Sequence, residues 1–334
     1  MIWLRKSLSF ALLLALFCIL ASTTRSISAC TIFTVSKGNK AFFGNNEDWY
    51  DPDTYIWFEQ PKEGKYGGVF LGFGNYFPQG GMNEKGLCFD ANALPEMPLN
   101  NHPELPYSQE WIVKQIIDEC ADISEALQLA KEFNWGTSMA YQVHLADALG
   151  NAVVISPGTD GELNFTRKNV GDGFLVSTNF NVGYPRNGWT PCWRYPIASE
   201  MLDSIDHEDN LTLEILRDIL DATHQEGTYA TKYSNIFDLV LRDIYIYQNF
   251  NYTNVVKLNL EEELAKGKEE YTPISDLFSH ITNGLGLTAT TSDIMTSVSS
   301  LTSSQVTLPQ RTIGTPLYFL FLSILVLILI RRRH

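Results

Sequence analysis

The spacing of apolar residues changes several times along the chain, and each change predicts a different element. Residues 31–36 and 41–44 are apolar, β-rich runs separated by Lys37-Gly38-Asn39-Lys40, the composition of a hairpin turn. Residues 55–59 and 66–72 predict further short strands, and residues 80–93 enclose a tight Asn83-Glu84-Lys85-Gly86 turn before Leu87-Cys88-Phe89. Between 108 and 133 the period becomes helical. Trp111, Ile112, Ile116, Cys120, Ile123, Ala126, Leu127 and Ala130 fall on one stripe, broken near Asp122, with Ser124 as the expected cap of a second helix. Strands are predicted again over 141–146, 152–156, 162–166 and 174–177, helices over 194–205 and 211–224, and a hairpin over 234–247. Such an order suits an α+β fold in which stacked antiparallel sheets are covered by helices. No linker, repeat or charge block interrupts residues 30–283, which read as one domain.

The two ends have a different pattern. Residues 1–29 run from Arg5 and Lys6 through an apolar stretch at 8–20 to a polar segment ending in small Ala29, the layout of a signal peptide. That apolar stretch is shorter than the ~20 residues of a membrane span. Ile27-Ser28-Ala29-Cys30 also fits a lipoprotein box, although a lipidated cysteine usually opens a polar tether and here alternating apolar residues follow at once. Residues 284–312 are rich in Ser and Thr and read as a stalk. Residues 313–330 are almost wholly apolar and precede a basic tail at 331–334, so a C-terminal transmembrane anchor is expected, holding the domain at the cell surface with the arginines inside. A cleaved sorting tail has the same layout.

Composition narrows the partners. The net charge is −14, and seven of the 24 basic residues but no acids lie outside 30–310, leaving 17 basic against 38 acidic residues within it. Such a surface argues against nucleic acid or an anionic membrane face as partner.

Of five cysteines, Cys18 lies in the leader and Cys30 directly after it. Removal of residues 1–29 would place a thiol and a free α-amine on one residue, the logic of an N-terminal nucleophile: a weakly ionised thiol beside an amine of pKa near ~7.7–8 that can relay its proton. Cys88, Cys120 and Cys192 are too widely spaced for a disulfide framework or a metal signature. No His/Cys/carboxylate grouping reads as a metal site, His144 reads as a core histidine, and no cofactor is expected.

Cys30-Thr31 opening a hairpin, Gly44-Asn45-Asn46-Glu47-Asp48-Trp49 on its second strand, Gly81-Met82-Asn83-Glu84-Lys85-Gly86-Leu87, and Ser177-Thr178-Asn179 together resemble the choloylglycine hydrolase and penicillin V acylase-like family. The family also includes related acyltransferases and ceramide- and ethanolamide-cleaving amidases, and the resemblance covers nearly all of residues 30–270. It implies an N-terminal-nucleophile (Ntn) hydrolase fold, an αββα four-layer sandwich. It also implies roles: Cys30 as nucleophile, Asp48 as the carboxylate holding the α-amine, Asn179 as the side-chain donor of the oxyanion hole, and Asn92, or equally Ala93, as its backbone donor.

Three further positions are expected on the substrate side. Asn45 stands where bile-salt hydrolases place an arginine, which removes a cation that would favour thiolate. Lys232 is the nearest counterpart of a second family arginine, and Trp57 belongs to an aromatic cluster (Trp49, Tyr50, Tyr55, Trp57, Phe58) that would line an acyl pocket or simply be core. Asp48 and Asn179 also fit plain turn and strand-edge roles. The implied activity is hydrolysis of a linear non-peptide C–N amide through an acyl-thioester at Cys30, with a small-molecule amide as partner. Capture by an amine would make an acyltransferase; a ligand-binding lipoprotein or an inactive relative are the alternatives, and a homo-oligomer is left open.

Overall fold

The computed structural model describes residues 30–168, 173–184 and 192–282. Its strands are β1 (Thr31–Lys37), β2 (Lys40–Asp48), β3 (Thr54–Glu59), β4 (Gly68–Phe73), β5 (Pro78–Asn83), β6 (Cys88–Pro98), β7 (Ser138–Ala146), β8 (Ala152–Pro157), β9 (Leu163–Arg167), β10 (Gly173–Ser177), β11 (Thr231–Asp238), β12 (Asp243–Gln248), β13 (Asn251–Asn259) and β14 (Thr272–Pro273). Its helices are α1 (Ile112–Glu119), α2 (Ile123–Ala130), α3 (Arg194–Asp203), α4 (Leu213–Thr223), α5 (Leu260–Ala265) and α6 (Ile274–Thr282).

The strands form two sheets with orders β10-β1-β2-β11-β12-β13 and β14-β3-β4-β5-β6-β7-β8-β9. Every pairing between the described strands is antiparallel, consistent with the short connections between successive strands. Because side chains alternate between faces, each sheet buries two sets of residues. Ile32, Phe43, Met82, Cys88, Ala146 and Phe237 pack between the sheets. Phe33, Val35, Phe42 and Ile236 turn the other way onto α3 and α4, while Phe89, Val143, Leu145 and Ile155 pack on α1 and α2. The layers are therefore helices, sheet, sheet, helices: the αββα sandwich expected from the sequence.

Two local devices fix the approach to the site. Gly44 lies where a Cβ would sit 2.3 Å from the Phe33 ring, so only glycine lets that ring lie across the β1–β2 hairpin. Asn83 closes the Asn-Glu-Lys-Gly turn by accepting from the backbone N–H of Lys85 and Leu87. Its Nδ2 donates to the carbonyls of Ile117 and Cys120 at the end of α1, tying the turn to the helix layer.

Two expectations change here. The second helix is capped by Asp122, whose carboxylate accepts from the N–H of Ser124 and Glu125, so Ser124 lies inside the first turn. The cell-surface placement through a C-terminal transmembrane helix is overturned: no helix among the described residues is long and apolar enough to cross a membrane. Residues 1–29 and 284–334, to which the leader, stalk, anchor and basic tail were assigned, lie outside the described residues.

Candidate active site

The strand β2 carries two rows of polar side chains, one on each face of its sheet. Asn46 and Asp48 point to the helix side. Asn46 Nδ2 donates to the Leu220 carbonyl of α4 at 2.9 Å and its Oδ1 accepts from Ser234 Oγ at 2.7 Å. Asp48, fully buried, accepts from Arg194 at 2.7 Å, from Gln225 Nε2 at 2.9 Å and from the Thr231 hydroxyl. Burial pushes the Asp48 carboxyl up to about 7, with Arg194, Thr231 and Gln225 opposing.

Asn45 and Glu47 point the opposite way, into the gap between the sheets. Continuing the β1–β2 register, in which Thr31 pairs with Asn46, one step further sets Cys30 opposite Glu47. The buried Cys30 thiol donates to Glu47 Oε1 at 3.5 Å, and Asn45 Nδ2 donates to the other oxygen, Oε2, at 3.2 Å. From the facing sheet, Asn92 Nδ2 donates to the Cys30 carbonyl at 3.3 Å and Gln142 Nε2 donates to Asn92 Oδ1 at 3.4 Å. Burial, and then the charges of Glu47, Asp48 and Asp90, push the Cys30 thiol well above its ordinary value; a backbone bond to Asp48 opposes them. With residue 29 still attached, Cys30 carries an amide in place of an α-amine, and its thiol is held neutral.

Asn179, at the end of β10, is half-buried. Its Nδ2 donates to the Ala93 carbonyl at 3.1 Å, and its Oδ1 accepts from Arg194 at 3.1 Å. An amide nitrogen has two donors, so one remains after the Ala93 contact. Arg194 is the residue that sequence reasoning missed. It is 2 % exposed, opens α3, and bonds Asp48, Asn179 and, through Nε, the Cys192 sulfur at 3.3 Å. The only available signal was an arginine among aromatics 15 residues after Asn179, a distance visible in the chain but attached to no motif in the sequence.

The structure thus brings Cys30, Asn45, Asp48, Asn92 and Asn179 into one polar network. It does not bring in Trp57 or Lys232. Trp57 lies on the opposite face of its sheet, packed on Phe70 and donating to Glu59 Oε1 at 3.2 Å, because its place in β3 turns it toward α1 and α2. Lys232 sits at a bulge in the β11–β2 pairing and has no side-chain hydrogen bond or ion pair with any described residue; the cation beside Asp48 is Arg194. The aromatic cluster accordingly splits. Tyr55 and Trp57 face α1, whereas Trp49 lies, with its ring tilted, between exposed Tyr50, at 4.9 Å, and Phe73, at 5.9 Å, with Tyr233 beyond at 6.4 Å from Phe73. This file of rings leads from the surface to the Cys30 neighbourhood, since the charges of Glu47, Asp90 and Cys30 all act on the Tyr233 hydroxyl, adding to burial.

His144 is buried and bonded on both ring nitrogens, to Thr34 Oγ1 and Ser177 Oγ at 3.0 Å each, and burial holds it down at about 3. It is a neutral bridge between the sheets. The four described cysteines are free thiols, and no cluster of metal-ligating side chains occurs among the described residues.

A sequence model of the family described as acyl-coenzyme A:6-aminopenicillanic acid acyl-transferase matches residues 35–185. No curated protein sequence matches the chain. Among solved structures, a mutant conjugated bile acid hydrolase from Clostridium perfringens superposes with a TM-score of 0.56 at 15% identity, covering 73% of this chain and 96% of that one. Penicillin V acylase from Agrobacterium tumefaciens superposes with a TM-score of 0.57 at 15% identity, covering 72% and 90%. The fold is that of the Ntn acylases, and the resemblance read from the motifs is borne out by the family match and these structural neighbours.

Proposed function

We propose, from a fold shared with Ntn acylases, that the chain hydrolyses a linear, non-peptide amide through an acyl-thioester on Cys30, after removal of residues 1–29. The observation that carries this reading is the setting of Cys30. It lies at the head of β1 with its thiol turned between the sheets, its carbonyl held by Asn92, and the Asp48–Arg194–Asn179 chain of hydrogen bonds beside it. Cleavage before Cys30 converts a neutral amide into an ammonium among three carboxyl groups. That new positive charge offsets the carboxylates that hold the thiol neutral and lowers its pKa. Asp48 orients the amine, and Arg194 fixes Asp48 in turn.

In the chemical step the sulfur attacks the amide carbon, and the developing oxyanion needs donors aimed at it. The unused N–H of Asn179 and a backbone N–H at Asn92 or Ala93 are the candidates, each such donor contributing about 3–4 kcal/mol to the barrier reduction. The ring file from Tyr50 to Phe73 suits a flat or apolar acyl group. The neighbours' names point to the same class, a bile acid conjugate in one and penicillin V in the other.

A second reading is favoured by the family match itself, whose description is that of an acyltransferase. In it the thioester is captured by an amine in place of water. The test uses the chain beginning at Cys30, offered penicillin V and glycine-conjugated bile acids with and without an added amine. Acid release that vanishes in Cys30→Ala supports hydrolysis, a new amide formed at the expense of acid supports transfer, and undiminished turnover by Cys30→Ala overturns both.

A further inference from the structure

We propose that Glu47 accepts the proton of the Cys30 thiol, which makes it a catalytic acid–base residue; the inference rests on Cys30 being the nucleophile. The alternation of β2 sends Glu47 into the gap between the sheets, and the β1–β2 register sets it across from Cys30. Its Oε1 is the hydrogen-bond acceptor of the thiol at 3.5 Å. Asn45 holds Oε2 at 3.2 Å, so the carboxyl cannot turn away from the sulfur. Asn45 thereby has a use where bile-salt hydrolases have arginine: it positions a base.

Glu47 is 3 % exposed and forms no ion pair with any described residue, Arg194 being turned to Asp48 on the opposite face of β2. A buried carboxyl without a cation is costly when ionised, and a core would not keep one for packing. The groups acting on it are Cys30 ahead of β1, Asn45 of β2, Asp90 of β6 and Tyr233 of β11, with the charge of Asp48 reaching it from the other face of β2. The Tyr233 hydroxyl is fully buried, has no hydrogen-bond partner among the described residues, and lies within reach of the Glu47 charge. Burial pushes Glu47 up to about 8, with Asn45 opposing and the Asp48 charge adding. A carboxyl in that range is matched to proton transfer near neutral pH. The same carboxyl groups raise the proton affinity of the α-amine exposed at Cys30, keeping it ammonium and leaving Glu47 as the acceptor.

The step balances without any further reagent. The S–H proton passes to Glu47 Oε1 as the S–C bond forms and the carbonyl π pair moves to oxygen. Collapse of that oxyanion breaks the C–N bond while Glu47 returns the proton to the leaving nitrogen, giving free amine and thioester. Water then attacks the thioester, loses a proton to Glu47, and the C–S bond breaks with return of that proton to sulfur.

The test compares Glu47→Gln, Glu47→Asp and Cys30→Ala in the chain beginning at Cys30, with penicillin V as the probe amide. E47Q should lower kcat/KM by about 10²–10⁴-fold and abolish the acid limb of its pH profile, which the nearby ammonium places below 8. E47Q within about threefold of wild type, with the limb intact, overturns the proposal. If E47Q does not fold, Glu47→Asp carries the test, since withdrawal of the carboxyl by one methylene should cost at least about tenfold while retaining a limb; an E47D enzyme at the wild-type rate overturns it. An active Cys30→Ala defeats the nucleophile and Glu47 together, whereas an inert Cys30→Ala beside an unimpaired E47Q defeats Glu47 alone.

Discussion

Arg194 ties the site together through three bonds, and each end of it gives a separate prediction. Arg194→Gln leaves Asp48 buried without its cation, which should cost about 3–5 kcal/mol of stability in chemical denaturation and loosen Asn179. Asn179→Ala removes a half-buried donor, so stability should change little while kcat falls about 10²–10³-fold; an equal loss in both measurements would make Asn179 structural. Cys192 gives a third outcome. Burial raises its thiol, but the Arg194 guanidinium and the bonds from Thr178 and Arg194 outweigh that and leave it below its ordinary value, whereas burial holds Cys120 at about 12 and pushes Cys88 well up. Iodoacetamide should therefore modify Cys192 ahead of Cys88 and Cys120 in the native protein, as peptide mapping would show. At this scale the convergence of Cys30, Asp48 and Asn179 was legible because each sits in a short motif. Arg194 was not, because its partner Asp48 lies 146 residues away and no local pattern announces a long-range ion pair.

Among the elements, the strands near the site were readable because their two faces alternate cleanly. The same alternation explains why Trp57 misled: its position in β3 sets which face it takes, and that depends on a register no single strand reveals. Strand β13 went unread because it is an edge strand with mostly exposed polar residues, so it lacks the apolar alternation that marks a half-buried strand. The turn at Asn83 gives the element-level prediction. Asn83→Ala removes two donor and two acceptor contacts at a fully buried site and orphans the carbonyls of Ile117 and Cys120. The loss should be at least about 3 kcal/mol, read as a lowered denaturation midpoint, with the far-UV spectrum of the folded state unchanged.

For the molecule as a whole, the buried acids and His144 pull the pH dependence of stability in opposite directions. Glu47 and Asp48 are raised to about 8 and about 7, above the 4.5 and 3.8 of the unfolded chain, so the unfolded state releases their protons first and stability falls as pH rises through those windows. His144 is depressed to about 3 from 6.5, so the unfolded state binds its proton first and stability rises with pH up to about 6.5. Between pH 6.5 and 8 the histidine no longer contributes. The unprocessed chain should there lose stability by up to about 1.4 kcal/mol per pH unit for Glu47 alone, and Glu47→Gln should flatten that slope. The sandwich was legible in the order of elements, since alternating blocks of strands and helices leave few ways to bury both faces of two sheets. The cell-surface anchor was inferred from an apolar run between a Ser/Thr-rich stalk and a basic tail, and is overturned: no helix among the described residues is long and apolar enough to cross a membrane.

The central claim is that an acyl group passes through Cys30, and a quenched-reaction mass measurement tests it most directly. The chain beginning at Cys30 is mixed with an excess of penicillin V, acid-quenched during turnover, and peptide-mapped. The account predicts a phenoxyacetyl adduct on the N-terminal cysteine peptide that is lost on treatment with hydroxylamine and absent from Cys30→Ala. Turnover with no adduct on that peptide, or with the adduct on Cys192, would contradict it.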